Sequence, residues 1–171
     1  EGLPYYAYDR LKASSGLKSL PHYREKVNRL LFRLVNYFRP VSLIEVGEGN
    51  GDSFRYMREA RLSMKAVSLK GEDQAETLRQ LKVELEKVEK LDFLHIAYTT
   101  YDKDIFEMAY PYLHAQSCVV VGNIHENKER KEWWNQLLID ERVRISFDLY
   151  DIGWVLFEEK RFKQNYKVNF F

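Results

Sequence analysis

The sequence predicts an α/β fold: a mainly parallel sheet flanked by helices and finished by antiparallel C-terminal strands. Three observations carry this. Helix-like and strand-like segments alternate from Val27 to Leu138, the order that builds a parallel sheet under crossover helices. The strand-like segments there are short apolar runs without alternation, as in strands buried on both faces. From Val143 onward, strand-like segments follow one another across short turns, which reads as hairpin structure.

Taken in order, Glu1 to Pro21 carries Tyr5, Tyr6, Tyr8 and a Ser-Ser-Gly turn, and reads as an N-terminal arm. Val27, Leu30, Leu31, Leu34, Val35 and Phe38 then recur at helical spacing until Pro40 stops the helix. Val41–Val46 is a buried strand, Asp52–Leu62 a helix and Met64–Leu69 a second strand. Glu72–Lys90 is a helix with Leu78, Leu81, Leu85 and Val88 as its apolar stripe. Asp92–Ala97 is a third strand, Asp102–Leu113 a helix, Ser117–Val121 a fourth strand and Asn127–Leu138 a helix. Val143–Tyr150, Trp154–Glu158 and Tyr166–Phe171 are the final strands, with Asp151-Ile152-Gly153 as the turn between the first two. No repeat or linker interrupts residues 1–171, so a single domain is expected.

Bulk properties narrow the function classes. A chain of 171 residues with 45% hydrophobic and 31% charged residues can bury a core without metals or cross-links. The formal net charge of +1 gives no whole-chain pull toward nucleic acid or anionic membranes. Glu1–Arg39 is locally basic, but its charges fall on the solvent side of an amphipathic helix, so nucleic-acid binding is not expected. Cys118 is the one cysteine; it excludes an internal disulfide and a cysteine-rich zinc site, and it fits a cytoplasmic location. No apolar run reaches the roughly 18–20 residues of a membrane span.

The chemistry concentrates in Ile44-Glu-Val-Gly-Glu-Gly-Asn-Gly-Asp-Ser53, between the first strand and the next helix. Glycines at alternate positions let the backbone turn tightly and approach a ligand, and the following helix start offers N–H groups. In an open α/β sheet, ligands bind at the carboxyl ends of the strands near the reversal of strand order. A tight strand-to-helix turn needs glycine with or without a ligand, so both readings stand on the residues alone.

Glu45 to Ser53 resembles the E-x-G-x-G-x-G-x-S loop of S-adenosylmethionine-dependent methyltransferases. Leu31–Pro40, Val119–His125, Ser146–Phe157 and Tyr166–Phe171 are similar to further segments of a bacterial small-molecule O-methyltransferase-like group. The resemblance implies a Rossmann-like methyltransferase fold from about Leu30 onward. It also implies S-adenosylmethionine as cofactor, with Glu45, Gly47, Gly49, Gly51 and Ser53 as cofactor-binding residues and a small molecule as acceptor.

Four departures from that pattern bear on activity. The acidic residue that would end the second strand and accept from the ribose hydroxyls is replaced by Lys70, a donor-only cation; Glu72 or Asp73 would have to substitute. One strand–turn–helix element is missing between the second-strand helix and Leu91, shortening one sheet edge and removing the adenine wall. Ala97, followed by Tyr98-Thr99-Thr100, stands where a metal-binding Asp is expected, and Gly122-Asn123 replaces an Asp pair. A magnesium-type ion wants several charged oxygens, so no metal is expected.

His125, just beyond the fourth strand, is the candidate catalytic residue, as a general base or substrate contact; a solvated loop histidine is its plainer reading. His95 reads as a hydrogen-bonded core histidine, Cys118 as a small core residue, and one of Trp133 and Trp134 as packed on the sheet. His22 and His114 carry no motif. Three functions stay open: a degenerate methyltransferase fold serving as a small-molecule-binding or interaction module, an active metal-independent methyltransferase, and a structural subunit forming a homo-oligomer.

Overall fold

Helix α1, Glu25–Phe38, places Val27, Leu31, Leu34 and Val35 on its buried face, each worth roughly 1.5–3 kcal/mol when fully enclosed. It ends at Arg39, whose left-handed backbone (φ 50°) lets its N–H close on the Val35 carbonyl, one residue before Pro40. The computed structural model describes residues 21–170. The remainder of the expected arm, residues 1–20, and Phe171 lie outside the described residues.

The other elements follow the expected order. They are β1 Ser42–Val46, α2 Asp52–Ala60, β2 Lys65–Leu69, α3 Gln74–Val88, β3 Phe93–Ile96, α4 Asp102–Ala109, β4 Cys118–Gly122 and α5 Lys128–Ile139. The C-terminal strands are β5 Ile145–Asp148, β6 Ile152–Leu156 and β7 Gln164–Lys167. The described residues form one seven-stranded sheet in the order β2-β1-β3-β4-β6-β5-β7. The first four strands are mutually parallel, and β6 is antiparallel to both β4 and β5. Among the described residues no strand lies beyond β2, which is an edge, as the missing element predicts.

Three details differ from expectation. The last strand begins at Gln164 and pairs parallel to β5, so the C-terminal strands are not all antiparallel. β6 runs between β4 and β5, and the chain turns at its end to rise along the free side of β5. The hairpin turn is Leu149–Asp151, with Tyr150 at φ 71°; Ile152 and Gly153 already belong to β6. Gly153 serves packing: a Cβ there would lie 2.5 Å from the Trp134 ring, and Trp134 is fully buried on the sheet. The helix expected over Asp102–Leu113 ends at Ala109 and gives way to a 3₁₀ turn, Tyr110–Tyr112, because Pro111 cannot continue the α-helical bonding.

On the outside, Arg142 pairs with Glu107 of α4 and Asp140 after α5 and lies over the Phe106 and Tyr110 rings. Its hydrogen bonds hold both carboxyls below their usual range. Depressed folded-state values mean stability that is present above the unfolded pKa, about 4, and lost as pH falls through the folded values. Arg142→Ala is therefore expected to lower the melting temperature at pH 7, with the gap narrowing as pH falls below the unfolded value. A gap that stays undiminished down to the lowest pH at which the protein is folded would assign the effect to ring packing alone. No helix among the described residues is long and apolar enough to cross a membrane.

Candidate functional site

The carboxyl ends of β1 and β3 lie side by side, and β1 connects outward to β2 while β3 leads to β4, so strand order reverses between Val46 and Ala97. The glycine loop springs from this switch point. Gly47 (φ 142°) donates its N–H to Leu69 O at 2.9 Å, and Glu48 donates to Tyr98 O at 2.9 Å. A Cβ on Gly47 would lie 2.7 Å from the Tyr98 nitrogen, so this glycine is demanded by the close approach of the two loops. Gly51 (φ 85°) begins α2 in the left-handed region. A Cβ on Gly49 would lie 3.4 Å from Pro21 O, which is ordinary contact.

Glu45 points inward. Its carboxylate, 4% exposed, accepts from Ser53 Oγ at 2.7 Å, Ser68 Oγ at 3.1 Å and His95 Nδ1 at 2.8 Å. With Nδ1 carrying the proton, His95 Nε2 accepts from the Tyr23 hydroxyl at 2.9 Å. A chain of bonds thus runs Tyr23–His95–Glu45, with His95 at its centre fully buried. Burial, then the neighbouring Tyr98 and Glu45, pushes the Tyr23 phenol well above its ordinary value, so it stays a neutral donor.

Pro21–Tyr23 lies across the loop. Asn50 donates its N–H to Pro21 O at 3.2 Å, and the Tyr23 ring packs against Tyr98 with centroids 5.2 Å apart. What remains between this segment, the glycine loop, Ser68 and Lys70 is a cavity of about 30 Å³, room on the order of one water. A second recess of about 310 Å³ adjoins it, bounded by Gly71, Glu72, Tyr101, Glu126 and Arg130. Pro21, Glu48 and Tyr98 line both.

No family model matches this sequence, and no curated protein does. Solved structures do match. A methyltransferase from Geobacter sulfurreducens aligns with TM-score 0.67 at 13% identity, covering 90% of each chain. The fold is that of the Rossmann-like methyltransferases. An O-methyltransferase from Bacillus cereus in complex with S-adenosylhomocysteine gives TM-score 0.62 at 18% identity, over 90% of this chain and 92% of that one. The O-methyltransferase TomG from Streptomyces achromogenes, in complex with S-adenosylmethionine, gives 0.65 at 16%, over 91% of each.

Within this methyltransferase fold, the ends of β3 and β4 are held by a guanidinium. Arg130 of α5, 6% exposed, donates to Thr99 O at 2.6 Å, Ala97 O at 2.9 Å and Gly122 O at 2.6 Å. It pairs with buried Asp102 at 3.2 Å. Burial raises the Asp102 carboxyl against the opposing pull of Arg130. Gly122 is required by Tyr23, because a Cβ there would lie 1.7 Å from the phenol oxygen; an Asp side chain has no space at this position.

The candidate residues therefore separate. Glu45, Gly47, Gly49, Gly51 and Ser53 line the small cavity together with Lys70. His125 stands apart on the β4 side, with Nε2 on Asp148 at 2.9 Å and its ring stacked on Tyr150 at 4.9 Å. Sequence reasoning missed Tyr23, Arg130 and Asp102. Gly122 was the available signal for Tyr23, since a glycine closing a strand of valines marks room taken by something else.

Proposed function

We propose that this protein is a methyltransferase-fold module that has lost methyl transfer and serves as a small-molecule-binding or interaction module. The observation that carries this reading is the closure of the glycine loop by Pro21–Tyr23, which leaves about 30 Å³ where a ligand pocket needs roughly 300 Å³ or more. S-adenosylmethionine does not fit that space. Two further features agree with this. Lys70 borders the cavity and cannot accept from ribose hydroxyls, and Glu45 has its carboxylate engaged by Ser53, Ser68 and His95.

The second reading, an active metal-independent methyltransferase acting on a small molecule, is favoured by the adjoining recess of about 310 Å³, which is large enough for part of a cofactor. Methyl transfer needs little beyond a positioned acceptor and an in-line sulfonium. A calorimetric titration with S-adenosylmethionine at neutral pH separates the two. No binding below millimolar ligand is expected, and a low-micromolar dissociation constant would overturn the proposal in favour of the second reading.

A further inference from the structure

We infer that Pro21–Tyr23 is a displaceable strap, an autoinhibitory segment of this chain that divides one long cleft into two cavities. The inference rests on the reading that the site is closed to S-adenosylmethionine, and it says by what means the site is closed and how it opens.

The small cavity and the larger recess lie end to end along the carboxyl ends of β1, β2 and β3, with Pro21 in the wall of both. Moving Pro21 away joins them over the Glu48–Tyr98 bridge, whose backbone bond stays in place. The strap's fastenings include the Pro21 carbonyl on Asn50 N–H, the Tyr23 hydroxyl on His95, and the Tyr23 ring packed on Tyr98 and seated over Gly122. Of these contacts only the one on Asn50 reaches the backbone of the loop beneath. Gly47 is held by Leu69, Glu48 by Tyr98 and Ser53 by Glu45, so the loop survives the strap's departure.

A hinge is present where it is needed. Arg24 precedes α1 with extended backbone (φ −60°, ψ 150°), while its carbonyl already accepts from Val27 N–H at 2.9 Å. Ion pairs from Arg24 and Lys26 to Asp151 fix the helix start. Rotation upstream of Arg24 therefore swings Tyr23 out without unwinding the helix.

The joined cleft has Lys70 at one end and Glu72 and Glu126 at the other, with Glu48 at the junction and Arg130, paired with Asp102, in the recess wall. It suits an elongated molecule with an acidic group at one end and hydroxyl or amine donors at the other. Binding to such a cleft is weakened by the small fraction of molecules with the strap out, and removing the strap's anchor lifts that penalty.

Two variants and one measurement on the unmodified chain test this, with S-adenosylhomocysteine as the probe. Tyr23→Ala removes the anchor. Gly122→Ala evicts it without touching Tyr23, since the new Cβ would lie 1.7 Å from the phenol oxygen. Each variant is expected to bind the probe at least tenfold more tightly than the unmodified chain, whereas Tyr23→Phe, which keeps the ring, is not. In the unmodified chain, the Asn50 amide is expected to exchange with deuterium at least tenfold faster than those of Gly47 and Glu48, because the strap opens below the global unfolding limit. The inference is overturned if both alanine variants melt cooperatively yet bind no better than the unmodified chain. It is equally overturned, whatever the variants' folding, if the three amides exchange at one rate. Low-micromolar S-adenosylmethionine binding by the unmodified chain defeats the proposed loss of function instead, and the Asn50 rate still judges the strap.

Discussion

Arg130→Met is expected to destabilise the protein by about 3–5 kcal/mol, the usual cost of removing one partner from a buried ion pair. Asp102, 6% exposed, would keep a charge with only Thr99 beside it. The carbonyls of Ala97, Thr99 and Gly122 would lose the donor that joins them. Adding Asp102→Leu to the methionine variant should recover part of the loss by removing the stranded charge, though not the part due to the carbonyls. Urea denaturation measures both. A single-variant loss under 1 kcal/mol would mean that water replaces the guanidinium and that the ends of β3 and β4 are not tied by it.

Glu45→Leu is expected to have the next largest effect. The buried His95 would keep an N–H with no acceptor, at about 1–3 kcal/mol, while Ser53 is half-buried and Ser68 exposed, so both hydroxyls can turn to water. Glu45→Gln retains an acceptor oxygen for His95 and should cost well under half as much. Equal losses for the two variants, read from the same denaturation curves, would show that the carboxylate contributes by volume and not by its hydrogen bonds.

Much of the fold was legible because periodicity reports burial. The stripe from Val27 to Phe38, the bare apolar run ending at Val46 and the valines after Cys118 each announce an element by the faces they bury. The absent third strand was legible too, since Gln74–Val88 leads into β3 with no room for another. The parallel placement of β7 was not, because exposed strand residues such as Gln164 and Asn165 carry no pattern and strand direction depends on where the chain turns. For the site, the glycine loop could be read from spacing, and His95 from its apolar neighbours. The Tyr23 contact could not. It joins residues 72 positions apart across a segment with no periodicity, and its one trace was the glycine at 122. Arg130 was hidden differently: on a helix written Lys-Glu-Arg-Lys-Glu it looks like any solvated charge.

Among the described residues the outer side of β2 is unpaired, which has a consequence for how copies of this chain meet. A five-residue strand with its N–H and C=O groups open on one flank is a template for another strand, and natural proteins guard such flanks with lysine. Lys65 opens the strand and Lys70 follows its last residue. Parallel docking of two copies in register sets each lysine against its counterpart; antiparallel docking sets the first against the second. Either way like charges converge where hydrogen bonds would have to form. The lysine that is ill suited to a ribose is well suited to keeping this flank from self-association.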